Sequence, residues 1–148
     1  MERKSQIHLR VYRLLRHPAA PPVLIALAAA ACHFNGLFNG WVWDDTPYVA
    51  NNEGIRSWSH FLEHFYDPNR YMQGLDTQIW RPLRNISYTL DFSVWGKNPF
   101  GFHLSNLLLH IANSLLVRAL ALRLTRNSLT GLAAGLLFAV HPALTEAV

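Results

Sequence analysis

Three long stretches without a single charged side chain constrain the fold of this 148-residue sequence. They run from Pro18 to Trp43, from His103 to Val117 and from Asn127 to Thr145. The surface of a soluble domain needs charges spread along the chain, whereas about 20 mostly apolar residues can cross a bilayer as a helix. The sequence therefore predicts an all-α membrane protein with about three transmembrane helices.

The charged residues lie between these stretches and predict the orientation of the chain. The first 20 residues carry five basic side chains against one acid, and three more arginines lie between the last two apolar stretches. Residues 41–100 carry seven acids against five bases. Because basic residues favour the cytoplasmic side, we expect a cytoplasmic N-terminus and an outer loop. The basic residues follow this topology, so they do not indicate a nucleic-acid partner.

These boundaries divide the chain into six predicted segments. They are a cytoplasmic basic segment (1–21), transmembrane helix 1 (22–43), an outer loop with the Asp-Asp motif (44–100), transmembrane helix 2 (101–123), a cytoplasmic turn (124–127), and transmembrane helix 3 with the start of a second outer loop (128–148). The loop is too long for a simple connection, and apolar residues recur at helical spacing over Ser57–Tyr66 and after Pro82. We expect two amphipathic helices there, on the outer leaflet or against the bundle.

Asp44 and Asp45 follow the first apolar stretch directly, just after Trp41 and Trp43. Tryptophan favours the membrane–water interface, so the pair is expected at the outer end of helix 1. Adjacent carboxylates repel each other and lose hydration near an apolar boundary. This is costly unless a cation, a metal ion or a substrate hydroxyl shares the site. The acidic pair is therefore the predicted reaction centre.

Helix 2 carries four polar residues, His103, Asn106, His110 and Asn113, at steps of three, four and three. On a helix this spacing makes one polar stripe. The stripe either hydrogen-bonds neighbouring helices or contributes to a site. Hydrogen bonding is favoured for His110 and Asn113, which lie deeper in the span. Both interpretations stay open for His103 and Asn106, which lie near the outer end.

The last predicted span adds a second acid on the same side of the membrane. Three crossings from an inside start place Glu146 outside, where the acidic pair is also expected. The alternative for Glu146 is a solvated residue at a helix end. The chain stops close behind this residue without a polar tail, so we expect a fragment of a longer membrane protein.

Several motifs, taken in order, resemble one family. They are Trp43-Asp44-Asp45, Trp80-Arg81-Pro82-Leu83, the run from Trp95 to Asn106, Leu108-Leu109-His110 and the run from His141 to Val148. This set resembles the N-terminal membrane region of the transmembrane and tetratricopeptide-repeat proteins. That family is similar to the protein O-mannosyltransferases of the GT-C glycosyltransferase superfamily. The resemblance covers about Gly40–Val148.

The resemblance implies a partial GT-C type bundle and transfer of a mannose-like sugar to protein hydroxyl groups on the non-cytoplasmic face. The implied partners are a polyprenyl-phosphate-linked sugar, an acceptor protein and membrane lipid. It also implies further spans and tetratricopeptide repeats beyond this sequence. The membrane would be the bacterial inner membrane or the endoplasmic reticulum, with the protein as a multi-pass integral component.

The residues then support a specific hypothesis for the chemistry. Asp44 is the general base that takes the proton of the acceptor hydroxyl, since burial beside a second carboxylate strengthens a base. The resemblance points to the same acid. Asp45 orients the acceptor or, with Glu146, offers oxygen ligands to a divalent cation such as Mg²⁺ or Mn²⁺. The sequence establishes no cofactor beyond this prediction.

The departing lipid phosphate needs positive charge and hydrogen-bond donors. Arg81 or Arg84 could hold it, because a guanidinium matches two phosphate oxygens, and His103 and His141 could donate to the same group. The open alternative for each arginine is a contact with lipid head groups at the interface.

Two other function classes compete with the transferase. A non-catalytic membrane scaffold, accessory subunit or inactive fragment is the first, because three spans alone cannot enclose a lipid-linked sugar. Ion or proton transport is weaker, because no acid lies in the middle of a predicted span.

Overall fold

The computed structural model describes residues 17–67 and 80–143. Helices make up most of both ranges, and neither contains a strand, which confirms the prediction of an all-α fold. The α-helices are α1 (Ala20–His33), α2 (Glu63–Tyr66), α3 (Pro82–Trp95), α4 (Pro99–Thr125) and α5 (Ser128–Val140). Short 3₁₀ or π-helical turns cover Phe34–Phe38, Thr46–Ala50, Glu53–Ile55 and Trp58–His60.

Two helical segments are long and apolar enough to cross a membrane. They are Ala20–Phe38, which joins α1 to its 3₁₀ extension over 19 residues, and α4 with 27 residues. Large apolar side chains on both face outward, for example Leu27, Leu116 and Leu124, at 62%, 66% and 74% exposure. A core helix of a soluble protein would bury such residues, whereas a lipid-facing helix exposes them. The third apolar helix, α5, has 13 residues.

Local sequence signals explain where these helices begin and end. Asn127 caps α5 by accepting hydrogen bonds from the backbone N–H groups of Leu129 and Thr130, at 2.9 and 3.2 Å. The helix ends at Val140, because Pro142 disfavours a helical conformation at the residue before it. This stop leaves the last carbonyl groups of α5 without partners in their own helix.

The described residues 17–34 and 106–143 belong to one compact unit. In it, α1, α5 and most of α4 pack together. Gly135 lies at their closest approach. A Cβ at Gly135 would lie 2.5 Å from Ile25 Cδ1, 3.0 Å from Arg118 Cβ and 3.2 Å from the carbonyl oxygen of Ser114. A glycine is therefore needed for three helices to meet at this point.

Two buried histidines in the same unit converge on one backbone carbonyl. The Nε2 atoms of His33 and His110 lie 3.4 and 3.0 Å from the carbonyl oxygen of Ala139. Their rings meet edge to face, with centroids 4.9 Å apart. A carbonyl can only accept, so each ring donates, and together they satisfy a group freed by the end of α5. His110 thus makes the interhelical hydrogen bond favoured for it from the sequence.

The described residues 35–67 and 80–105 belong to the second compact unit. Tyr48, Val49, Ile55 and Phe102 form its buried core, and the ring of Trp41 packs edge to face on Phe102 with centroids 5.2 Å apart. Trp41 therefore contributes to the core of this unit, whereas the sequence suggested a role at the membrane interface.

The corner between α3 and α4 explains much of the motif that runs from Trp95 to Asn106. Gly96 ends α3 with a positive φ of 59°, which a glycine adopts without strain. The Trp95 ring fills the space where a Cβ of Gly101 would lie. The indole N–H also donates to Ser105 Oγ at 3.3 Å, so the corner is fixed from both helices.

The predicted helix over Ser57–Tyr66 forms as two short pieces, the turn Trp58–His60 and the helix α2. The hydroxyl of Ser57 caps the first piece by accepting from the backbone N–H of Ser59 at 3.2 Å. The second predicted helix begins at Pro82, as expected, and is continuous to Trp95.

Candidate functional site

The acidic pair lies in a tight turn that starts at Val42. The backbone N–H of Val42 donates to Asp45 Oδ2 at 3.1 Å, and the N–H of Asp45 donates back to the Val42 carbonyl at 2.9 Å. Trp43, between them, has a positive φ of 45°, which is rare outside glycine, and its side chain is 90% exposed. The turn holds Asp45 half-buried and leaves Asp44 exposed.

Helix α3 presents Arg84 to the ring of a buried tyrosine. The Arg84 Cζ atom lies 3.9 Å from the ring centroid of Tyr48 and 5.9 Å from that of Tyr88. The Nε atom of Arg84 is buried and has no hydrogen-bond partner in the described part of the chain, and one terminal nitrogen donates to Asn85 Oδ1 at 3.4 Å. Among residues 17–67 and 80–143, no carboxylate comes within 4.0 Å of this guanidinium. Its positive charge is therefore not neutralised by an ion pair in that part of the chain.

The charges of the predicted acids and of this arginine all affect the pKa of Tyr88. Burial raises the pKa of the Tyr88 hydroxyl, and the positive charge of Arg84 lowers it. The negative charges of Asp45 and Asp44, and that of Asp91, raise it further. The contacts agree with this: the Tyr48 backbone N–H donates to the Asp44 carbonyl at 3.0 Å, and the Tyr48 ring lies under Arg84.

Sequence reasoning missed both tyrosines of this site. Tyr88 follows Arg84 by four residues, so helical spacing already placed the two on one face of α3. Tyr48 lies in the π-helical turn Thr46–Ala50, which directly follows the acidic pair in the sequence and is far from α3 along the chain. No local pattern connects it to Arg84.

A surface cavity of about 540 Å³ lies beside Arg84. Its lining residues are Phe65, Trp80, Arg81, Pro82, Leu83 and Arg84. The Trp80 indole N–H donates to the Phe65 carbonyl at 2.9 Å, which fixes the ring at the cavity wall. The surface of the cavity is almost entirely apolar, and Arg81 and Arg84 are among its lining residues. Such a lining suits the apolar part of a ligand.

Four further site residues were predicted from the sequence. His103 is half-buried on α4, and its buried Nε2 atom has no hydrogen-bond partner among residues 17–67 and 80–143. Asn106 is half-buried and belongs to the other compact unit. His141 is exposed after α5, where its Nδ1 accepts the backbone N–H of Ala143 at 3.2 Å. Glu146 lies outside the described residues.

The residues described here do not assemble a metal centre. No group of three His, Cys, Asp or Glu side chains suited to a metal ion occurs in 17–67 and 80–143. Asp45 already uses one carboxylate oxygen to accept from Val42, and its predicted partner Glu146 falls beyond the described ranges. The divalent cation therefore stays a prediction.

Fold and site together define an all-α chain with two helices fit to cross a membrane. One compact unit contains a pair of carboxylates and an arginine that has no ion-pair partner among the described residues. No family model and no solved structure matches the chain. Curated proteins do, and over the aligned segment the chain belongs to the family of the TMTC protein O-mannosyl-transferases.

Three relatives show the extent of this similarity. Protein O-mannosyl-transferase Tmtc1 of Drosophila melanogaster is 36% identical over 123 residues, which cover 81% of this chain and 14% of the relative. TMTC1 of Mus musculus is 31% identical over 137 residues, which cover 88% of this chain and 14% of the relative. Tmtc3 of Drosophila melanogaster is 32% identical over 149 aligned positions, which cover 84% of this chain and 16% of the relative. The chain thus spans about one seventh of the length of the curated relatives it matches.

Proposed function

We propose that this chain is part of an integral membrane glycosyltransferase. The enzyme transfers a mannose-like sugar from a polyprenyl-phosphate donor to hydroxyl groups of an acceptor protein on the non-cytoplasmic face. The similarity to proteins named protein O-mannosyl-transferases carries this proposal. Because the chain spans a small part of those relatives, the complete reaction centre needs segments beyond this sequence.

In the proposed reaction, Asp44 is the general base. Its carboxylate is exposed, whereas the sequence hypothesis expected partial burial. It takes the proton of the acceptor hydroxyl while the hydroxyl oxygen attacks the anomeric carbon of the sugar. The bond between that carbon and the phosphate oxygen breaks, and the phosphate leaves with the bonding electrons. Asp45, held by the Val42 N–H, orients the acceptor or a cation from beside the base.

The donor is proposed to bind beside α3. The apolar walls of the cavity suit an isoprenoid chain, and the guanidinium groups of Arg81 and Arg84 suit its phosphate. Arg84 is the stronger candidate, because it is half-buried and has no carboxylate partner in the described part of the chain, whereas Arg81 is exposed. His103, Asn106, His141 and Glu146 stay in the proposal as further contacts to substrate.

The test of the base is the substitution Asp44→Asn in the full-length protein, with sugar transfer to acceptor protein as the readout. The amide keeps the shape of the carboxylate but cannot accept a proton. We expect transfer to fall about 100-fold or more, the usual contribution of a general base. The matched control is Asp67→Asn, which removes another exposed carboxylate of the same unit and is expected to leave transfer unchanged.

The same pair of variants separates the transferase from a non-catalytic scaffold. Near-normal transfer by Asp44→Asn would remove the base role from the proposal. A scaffold role would require that Asp44→Asn and Asp67→Asn behave alike in every assay of transfer.

A further inference from the structure

Arg84 is held by a ring that cannot easily move. The Tyr48 side chain beneath its guanidinium is 7% exposed and belongs to the core with Val49, Ile55 and Phe102. The Tyr48 backbone N–H also donates to the Asp44 carbonyl at 3.0 Å. One residue therefore supports the arginine with its side chain and the acidic turn with its backbone.

The contact between ring and guanidinium has a specific chemical consequence. Attraction between a cation and an aromatic face does not cancel the positive charge and does not require the N–H donors of arginine to pair with an acceptor oxygen. An ion pair with a carboxylate would use two of them and would cancel the charge. Arg84 has no such carboxylate among the described residues, and its Nε donor has no partner. The aromatic contact therefore holds the cation in place without cancelling its charge. It leaves for an anion those terminal N–H groups that do not donate to Asn85.

We propose that Tyr48 is a positioning residue, whose ring holds Arg84 so that its N–H groups receive the phosphate of an isoprenoid phosphate. This inference rests on the proposed function for the identity of the anion, and it adds the residue that makes Arg84 competent to bind it. Tyr48 also ties that anion site to Asp44 through one backbone hydrogen bond. Nothing in the local sequence pattern around Tyr48 indicates this role.

The test measures binding to the purified full-length protein in detergent micelles, with farnesyl phosphate as the probe. Farnesol and inorganic phosphate separate the contributions of the apolar chain and of the anion. Tyr48→Leu is expected to weaken farnesyl phosphate binding about five- to tenfold, and Tyr48→Phe, which keeps the aromatic face, about twofold or less. Farnesol binding is expected to stay unchanged in both variants.

A second variant distinguishes positioning from a general effect on folding. Arg84→Gln is expected to weaken farnesyl phosphate binding, and Tyr48→Leu is expected to add nothing in the Arg84→Gln background, because Tyr48 acts through the arginine. If Arg84→Gln leaves binding unchanged, the proposed phosphate site itself is wrong. If Arg84→Gln weakens binding but Tyr48→Leu does not, or if the two effects simply add, the positioning role of Tyr48 is wrong and the phosphate site stands. Equal losses of farnesol and farnesyl phosphate binding in Tyr48→Leu would also overturn the positioning role of Tyr48.

Discussion

At the scale of single residues, burial and charge decide what each acid of residues 35–105 does. Asp44 is exposed and so can meet a substrate, whereas Asp91 is half-buried on α3. Burial raises the pKa of the Asp91 carboxyl, and a hydrogen bond with the Ser105 side chain opposes that shift. Asp91 therefore holds its proton more strongly in the folded protein than in the unfolded chain.

This shift makes stability depend on pH in one direction. Between the pKa of Asp91 in the unfolded chain and its higher value in the folded protein, the folded state binds more protons. The free energy of unfolding therefore falls as pH rises through that window, and Asp91 is a net cost at neutral pH. Asp91→Asn removes the charge and keeps a polar group for Ser105.

We expect Asp91→Asn to be more stable than the parent chain at pH 7, by roughly a few tenths of a kcal/mol after allowance for solvent screening. At pH 3, where the parent carboxyl is protonated, we expect the two to unfold alike. Thermal unfolding in detergent micelles at both pH values measures the difference. A variant that is less stable than the parent at pH 7 would contradict the assigned sign.

At the scale of elements, the end of α5 shows how one helix terminus is satisfied inside a helical unit. Pro142 stops the helix, and His33 from α1 and His110 from α4 both donate to the freed carbonyl of Ala139. Loss of one histidine leaves the other as donor, whereas loss of both leaves a buried carbonyl without a partner.

A double-mutant cycle tests this arrangement. We expect His33→Leu and His110→Leu each to lower the free energy of unfolding by about 1 kcal/mol or less. We expect the double variant to lose about 1–2 kcal/mol more than the sum of the two. Denaturant unfolding in micelles measures all three, with Asn113→Leu, exposed on the same helix, as the control. Strict additivity would mean that the two histidines do not share one acceptor.

The elements also show what the sequence could predict. The two long helices followed from uncharged apolar stretches, and the start of α3 followed from Pro82, because these signals are local.

The shared acceptor of His33 and His110 was not predictable, because its geometry depends on where three helices cross. The same holds for the contact of Tyr48 with Arg84, which joins a turn to a distant helix. Asp44 and Asp45 were predicted as a site from their own chemistry, and their arginine neighbour was named only among several candidates.

At the scale of the whole molecule, the proposed reaction requires the acidic pair on the non-cytoplasmic face of the membrane, where its lipid-linked donor is proposed to be used. The charge pattern predicts this orientation, with basic residues before α1 and between α4 and α5 on the cytoplasmic side. The lone cysteine, Cys32, simplifies the test, because its replacement by serine leaves a chain without thiols.

The most direct measurement is labelling of single cysteines in sealed membrane vesicles of known orientation with a membrane-impermeant maleimide. In the Cys32→Ser background, Thr46→Cys reports on the acidic turn and Ser128→Cys on the connection between α4 and α5; both positions are exposed. We predict that Thr46→Cys reacts only from the non-cytoplasmic side and Ser128→Cys only from the cytoplasmic side. Labelling of Thr46→Cys from the cytoplasmic side would contradict the proposed transferase site.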